Sequence, residues 1–407
     1  MTAELNRGSG APGPQTVARH GRLRKPGPVG TVLAFIAAAL AVVLVSGAAV
    51  AGIVTAQTLA QITPEDIPID SEGPPPGIGA YPNGFNMLIV GSDRCESSDG
   101  CDGRGSANLN DVTMLLHVSA DGTNATAVSF PRDLVVPIPS CPKADGSGNN
   151  SAMAGRPINE TLFYGGLSCT VLTVQELTGL EIQFAGLITF NGVIKMTNAV
   201  GGVDVCVTDR LDDPRVGLHL KKGTNTLKGR EALAFLRSRH GVGNGSDLTR
   251  ISSQQVYLSS LVRTLKSADT LGDPAKVYAL AQAATKSMTL SKGLRQLDTM
   301  ASIAVRLKDV PLERITFVQF PGVVGQGGIY EGKVAPVQDK ADKLFALLKA
   351  DKPFKLATVA DGEPGGGSVV DPNAPASTPD PTVTDEPTDT VTSKGQTAAD
   401  YTCSVPK

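Results

Sequence analysis

Two carboxylates and four guanidiniums in this 407-residue chain have the types and spacing to do chemistry together. Asp93 follows an apolar run at residues 85–90, and Asp111 precedes another at residues 112–118. If those runs are neighbouring strands, both carboxylates stand at adjacent strand ends. Such a pair suits a hard divalent cation, Mg2+ or Mn2+, which keeps some of its water and shares phosphate oxygens. The competing role for each is that of a turn or cap residue. The basic set is Arg132, Arg237, Arg239 and Arg250, with Gln254 beside it. Arg237 and Arg239 are two residues apart and share one face of an extended segment. Arg250 and Gln254 are four apart and share one face of a helix. Residues 241–246 (GVGNGS) between them read as a flexible turn. Arg is favoured over Lys where phosphate is gripped by two prongs, so converging guanidiniums point to an anion. Surface salt bridges are the alternative.

The elements that must position these residues are visible in outline. Residues 85–90, 112–118 and Ala125–Phe130 read as three short strands, the last two joined by an Asp121-Gly122 hairpin turn. The third runs into Pro131-Arg132-Asp133. Residues 167–177 and 190–199 have helical spacing of apolar residues, and Val203–Val207 reads as a strand. Residues 231–236 are either the end of a helix or the start of a strand. Residues 253–265 form an amphipathic helix through Val256, Leu258, Leu261, Val262 and Leu265. This irregular alternation predicts an α/β fold, a mixed β-sheet flanked by helices on both faces.

Charge divides the chain further. Residues 1–28 carry five basic residues against Glu4, a net of +4, and read as a disordered basic tail. No charged residue lies between Lys25 and Glu65, and residues 29–57 are long and apolar enough to form one transmembrane helix. The positive-inside rule puts the N-terminus in the cytoplasm and the rest outside. A cleaved signal peptide is the alternative, but this apolar stretch is much longer than a signal's. Residues 58–80 read as a linker, 81–352 as the extracellular domain and 353–407 as a disordered Pro/Thr/Asp-rich tail. The segment 359–407 holds eight acidic residues and two Lys, a net of −6. All six Cys fall outside the membrane on this topology, which favours disulfides. Nearness pairs Cys95 with Cys101 and Cys141 with Cys169, leaving Cys206 with Cys403.

Several chemistries are absent. There is no G-x-S-x-G nucleophile elbow and no H-E-x-x-H. Residues 327–333 spell G-x-x-x-x-G-K, but Val334 replaces the Ser/Thr that would hold Mg2+ in a nucleotide site. No C-x-x-C exists, and the four His form no ligand pair at metal spacing. His117, inside a strand, reads as a packed residue. A formal net charge of −2 argues against nucleic acid as a partner.

The segments around these residues, Asn86 to Arg94, Asp111 to His117, Ser129 to Asp133, Ala234 to His240 and Asp247 to Gln255, resemble the LytR-CpsA-Psr family in order and spacing. The resemblance runs from about Gly84 to Asp351. It implies a sheet flanked by helices in a membrane-anchored phosphotransferase. Such an enzyme moves a glycopolymer from a polyprenyl-pyrophosphate carrier to peptidoglycan through a phosphodiester, in cell-wall assembly. By the same resemblance Asp93 and Asp111 associate with Mg2+, and Arg132, Arg237, Arg239, Arg250 and Gln254 bind the pyrophosphate. Asp111 or Asp133 then accepts the acceptor's proton. The polyprenyl tail is expected in a groove lined by the helices at 167–200 and 253–265. Leu109 stands where the family usually has Arg, which implies either substitution by nearby Arg94 or Arg104 or a lower pyrophosphate affinity. The Ala/Gly/Val-rich composition suggests an actinobacterial source and hence arabinogalactan or a related polymer. Two other readings keep the same residues: a lipid-pyrophosphate phosphatase, and a non-catalytic envelope-binding or regulatory protein.

Overall fold

The computed structural model describes residues 81, 83–94, 108–143, 146–266, 274–325, 327–357, 368–375 and 387–407. The expected tail, anchor and linker at 1–80, Cys95, Cys101 and Arg104 lie outside them, Tyr81 being the first residue described. Among the described residues no helix is long and apolar enough to cross a membrane.

The strands that matter here are β1 (Phe85–Ser92), β2 (Asn110–Val118), β3 (Ala125–Phe130), β4 (Phe184–Ile188), β5 (Val203–Val207), β6 (Gly223–Leu227), β7 (Met288–Leu290), β8 (Ile315–Gln319), β9 (Ser368–Val370), β10 (Gly395–Thr397) and β11 (Thr402–Ser404). The helices that matter here are α1 (Thr161–Thr178), α2 (Phe190–Val200), α3 (Gly229–Arg237), α4 (Asp247–Lys266), α5 (Leu297–Asp309) and α6 (Gln338–Lys349). A seven-stranded sheet runs β7-β4-β1-β2-β3-β8-β10, and a four-stranded sheet runs β6-β5-β11-β9. In the large sheet β1 pairs with β4, and β3 with β8, in parallel. Its other pairs are antiparallel, so the sheet is mixed as expected.

Both faces of the large sheet are covered, which is why its strands read as near-continuous apolar runs. Leu88 and Val90 of β1 join Leu115, Val128, Val171 of α1 and Leu344 of α6 in one core. Phe85 and Met87 point the other way, to Met114, Phe184, Phe317 and Ile303 of α5. The period of two along β1 therefore separates two cores. A third core under the small sheet joins Val203, Val205 and Val207 to Phe235, Val256 and Tyr257. Helix α4 lies between, because Leu258 and Val262 pack on the second core. The Asp121-Gly122 turn forms as predicted: Gly122 adopts φ 71°, and Asp121 Oδ1 accepts from Ser119 Oγ (2.6 Å) and the Thr123 N–H (2.9 Å).

The tail departs from expectation. Residues 387–407 are ordered, supplying a strand to each sheet and the segment Asp389–Val391, which pairs with Phe354–Leu356. Val391, Ala398, Cys403 and Ser404 are fully buried. Composition averaged over the tail hides this short buried stretch, which strand pairing and a cross-link hold in place. That link is Cys206–Cys403, and Cys141–Cys169 also forms, with Cα separations of 4.4 and 5.2 Å.

Candidate active site

The carboxylate end of the site is built by strand pairing. Antiparallel β1 and β2 bring Ser92 opposite Asn110, so Asp93 and Asp111 emerge side by side. Leu109 N–H donates to Asp93 Oδ1 (2.8 Å), and Asp93 N–H donates to the Leu109 carbonyl (3.1 Å). Burial pushes the Asp93 carboxyl above its ordinary pKa. The Asp111 charge adds to that, while the Leu109 N–H and Arg132 oppose it. Two carboxylates close enough to repel, presenting hard oxygens, form a donor set that fits Mg2+. Arg132 follows β3, and its Nη1 donates to Asp111 Oδ1 at 2.6 Å.

The basic end is built by helix termini. Residues 231–236 lie in α3, which stops at Arg237, and Ser238 turns extended (φ −60°, ψ 127°). That break, rather than one extended segment, sets Arg237 and Arg239 on the same cavity. The Arg237 guanidinium sits over the Phe190 ring, 4.2 Å from its centroid. Arg250, in the first turn of α4, donates from Nη2 to the Asp111 carbonyl (2.7 Å). Gln254 follows one turn later, and its Nε2 donates to the Leu236 carbonyl (2.8 Å). Buried Arg239 Nε has no hydrogen-bond partner. Burial pushes the Arg239 pKa down, and repulsion from Arg132 and Arg250 adds to it. Asp247 and Asp133 pull the other way, and a basic end built like this can accept an anion.

These residues share one cavity of about 390 Å3. Asp111, Arg132, Arg237, Arg239, Arg250 and Gln254 all line it, and Asp93 stands just outside the lining. The remaining wall is largely apolar, including Ile89, Met114, Phe190, Val193, Leu233 and Leu258. The expected groove helices are thus α2 and α4, whereas residues 167–178 of α1 pack on the opposite face of the sheet. Exposed Arg94 does not line the cavity. Asp133 does not line it either; it lies 3.6 Å from Arg132 Nε and 3.9 Å from Lys333 Nζ.

Sequence reasoning missed Asp247. Only 4% exposed, it pairs with Arg250 Nη2 (2.8 Å) and accepts the Arg132 backbone N–H (3.0 Å). One buried carboxylate thereby joins the end of β3 to the start of α4. Its spacing of three from Arg250 at a helix start was the available signal.

A mixed sheet between helices, with arginines and aspartates converging on an apolar-walled cavity, defines a class. Residues 55–350 match the LytR_cpsA_psr family, and the chain belongs to it. Among its relatives is the cell wall biosynthesis protein LcpA of Corynebacterium glutamicum, 31% identical over 261 residues, which cover 58% of this chain and 49% of that protein. Another is the polyisoprenyl-teichoic acid–peptidoglycan teichoic acid transferase TagT of Bacillus subtilis, 28% identical over 193 residues, covering 46% and 54%. The matched region thus spans about half the length of these relatives. Among solved structures, Bacillus subtilis TagV shares the fold with a TM-score of 0.52 at 22% identity, over 66% of this chain and 97% of that one. A LytR-Csp2A-Psr enzyme from Actinomyces oris gives 0.50 at 21% identity, over 70% and 96%.

Proposed function

We propose that this protein transfers a glycopolymer from a polyprenyl-pyrophosphate carrier to peptidoglycan, leaving a phosphodiester. The observation that carries this reading is the cavity itself, which joins an arginine cluster to an apolar wall. A diphosphate attached to a long hydrocarbon has those two characters. Arg132, Arg237, Arg239 and Arg250 hold the phosphate oxygens, and Gln254 steadies the end of α3 beside them. An acceptor hydroxyl attacks the phosphorus next to the glycan, the bond to the bridging oxygen breaks, and polyprenyl monophosphate leaves. Asp111, the site carboxylate facing the cavity, takes the hydroxyl proton. The guanidiniums stabilise the charge on the transferring group, which is most of what phosphoryl transfer asks of a protein. Asp93 and Asp111 would hold Mg2+ or Mn2+, which would add positive charge at those oxygens. No nucleotide is required, because the pyrophosphate bond supplies the driving force. In this reading the chain is anchored by residues 29–57 with its catalytic domain outside the cell.

The test uses the full chain, a short prenyl-pyrophosphate-linked oligosaccharide and peptidoglycan fragments, followed by mass spectrometry. Linked product and prenyl monophosphate are expected in equal amounts, and both are lost in Arg237→Ala. Monophosphate without linked product overturns transfer in favour of hydrolysis.

A further inference from the structure

The cavity has a second basic pair that the proposed mechanism does not use. Arg215 stands in the turn between the paired strands Leu211–Asp213 and Leu218–Leu220, and His240 follows Arg239. Both line the cavity. Arg215 Nη1 lies 2.7 Å from His240 Nε2. A guanidinium carries only donors, so Nε2 accepts and the imidazole proton sits on Nδ1. Among the described residues no carboxylate lies within ion-pair distance of Arg215. The pair therefore presents N–H donors and positive charge, and its side chains meet no carboxylate among the described residues.

One buried carboxylate sets this pair. Asp213 is 1% exposed and spends its oxygens on backbone and hydroxyl donors. Its Oδ1 accepts the Arg215 N–H (3.2 Å). Its Oδ2 accepts Ser238 Oγ (2.8 Å) and the N–H groups of His240 and Gly241 (both 3.2 Å). The hairpin turn and the loop after α3 are thus pinned to the same side chain. Ser238 is also the residue at which α3 ends, so Asp213 fixes the start of the segment that carries Arg239.

We infer that Arg215 and His240 form a second anion arm of the cavity, held in place by Asp213, which grips the further phosphate of a diphosphate. The inference rests on the proposed function and adds residues to its site. Asp111, Arg132 and Arg250 are bonded to one another at one end of the cavity. Arg239 and His240 are consecutive, so a ligand reaching past Arg239 meets the second arm. A monophosphate satisfied by the first cluster leaves that arm unused. Arg215 binds through contact; Asp213 is a positioning residue.

Binding of farnesyl diphosphate and of farnesyl monophosphate to the full chain, by titration calorimetry, separates the alternatives. Arg215→Ala is expected to weaken the diphosphate about tenfold or more, the loss of a charge-assisted hydrogen bond. The monophosphate is expected to bind as before. Asp213→Asn keeps the shape but turns an amide toward the loop N–H donors, and is expected to reproduce the diphosphate loss. Arg215→Ala combined with Asp213→Asn is expected to be no weaker than Arg215→Ala alone, because both remove the same arm. If Asp213→Asn does not fold, Ser238→Ala, which removes one of its bonds, is expected to show a smaller loss confined to the diphosphate. Unchanged diphosphate binding in Arg215→Ala overturns the arm, as does an equal loss for both probes. A wild-type chain that binds neither probe overturns the proposed function and the arm with it.

Discussion

Asp93, Asp111 and Arg132 come from one meander of consecutive strands, whereas Arg237, Arg250 and Gln254 come from helices tied to a separate small sheet, and Arg239 from the loop between them. The first group is placed by local pairing: β1 with β2, then β2 with β3 across a short turn. The second depends on contacts between residues far apart in the chain. Its small sheet includes β11, joined to β5 by a disulfide spanning 197 residues. Beyond that strand, Gly243 N–H donates to the Val405 carbonyl (2.9 Å) and Lys407 N–H to the Gly241 carbonyl (3.1 Å). Ser404 is hydrogen-bonded to Ser253, which neighbours Gln254 on α4. The chain's last residues thus brace both the loop and the helix that carry arginines. Closing a long loop costs more entropy than closing a hairpin, and in the basic half a staple across 197 residues offsets that cost.

The link between the halves is the place to break this contrast most strongly. Asp247→Ala removes the carboxylate that holds Arg250 and the Arg132 N–H. It leaves a buried guanidinium uncompensated, and is expected to cost about 3–5 kcal/mol in denaturant unfolding. A loss below about 1 kcal/mol would show that the halves do not depend on their shared anion.

Cys206→Ser is expected to cost about 3–4 kcal/mol, and Cys141→Ser, whose bridge spans 28 residues, less. Thermal melts of the two variants check the order. Equal shifts would mean that loop length is not what distinguishes the basic half.

Arg132→Ala acts on the acidic half. Transfer is expected to fall about 100-fold or more in kcat/KM, since a donor aimed at phosphate is lost and Asp111 loses its 2.6 Å partner. The fold should survive, because Arg132 follows β3 rather than lying in its core. A stability loss as large as that of Asp247→Ala would contradict local placement.

The smallest effect lies in β2. Buried His117 bonds through Nδ1 to Asn86 Oδ1 (2.9 Å), and its Nε2 is 3.1 Å from Asp351. Burial holds the imidazole below its ordinary pKa, against an opposing pull from Asp351. The unfolded chain therefore takes up the proton first. Stability is full above about pH 6.5 and falls as the pH drops through that unfolded value toward the folded one. His117→Gln is expected to flatten this slope without moving the cavity. An unchanged slope would place the pH dependence elsewhere.

Much of the sheet was readable because its strands carry their own boundaries: apolar runs ended by Gly91, the Asp121-Gly122 turn and Pro131. The spacing of Arg250 and Gln254 was readable for the same reason, helix periodicity being local. Arg237 and Arg239 reach one cavity across a helix end rather than along an extended segment, two arrangements that look alike over a few residues. Asp213 and Asp247 gave almost no signal. Each matters through partners brought to it from elsewhere in the chain.

By itself the sequence determined the mixed sheet, the arginines and carboxylates that meet at the cavity, and the Cys141–Cys169 pairing. These follow from hydrophobic period, side-chain type and nearness. Only the tertiary structure decided that the acidic tail returns to complete both sheets. It alone brought Asp213 and Asp247 into the cavity's frame, and it set α1 apart from the apolar wall that α2 and α4 build. A strand edge accepts any backbone that reaches it, and a buried carboxylate gathers donors regardless of their distance in sequence.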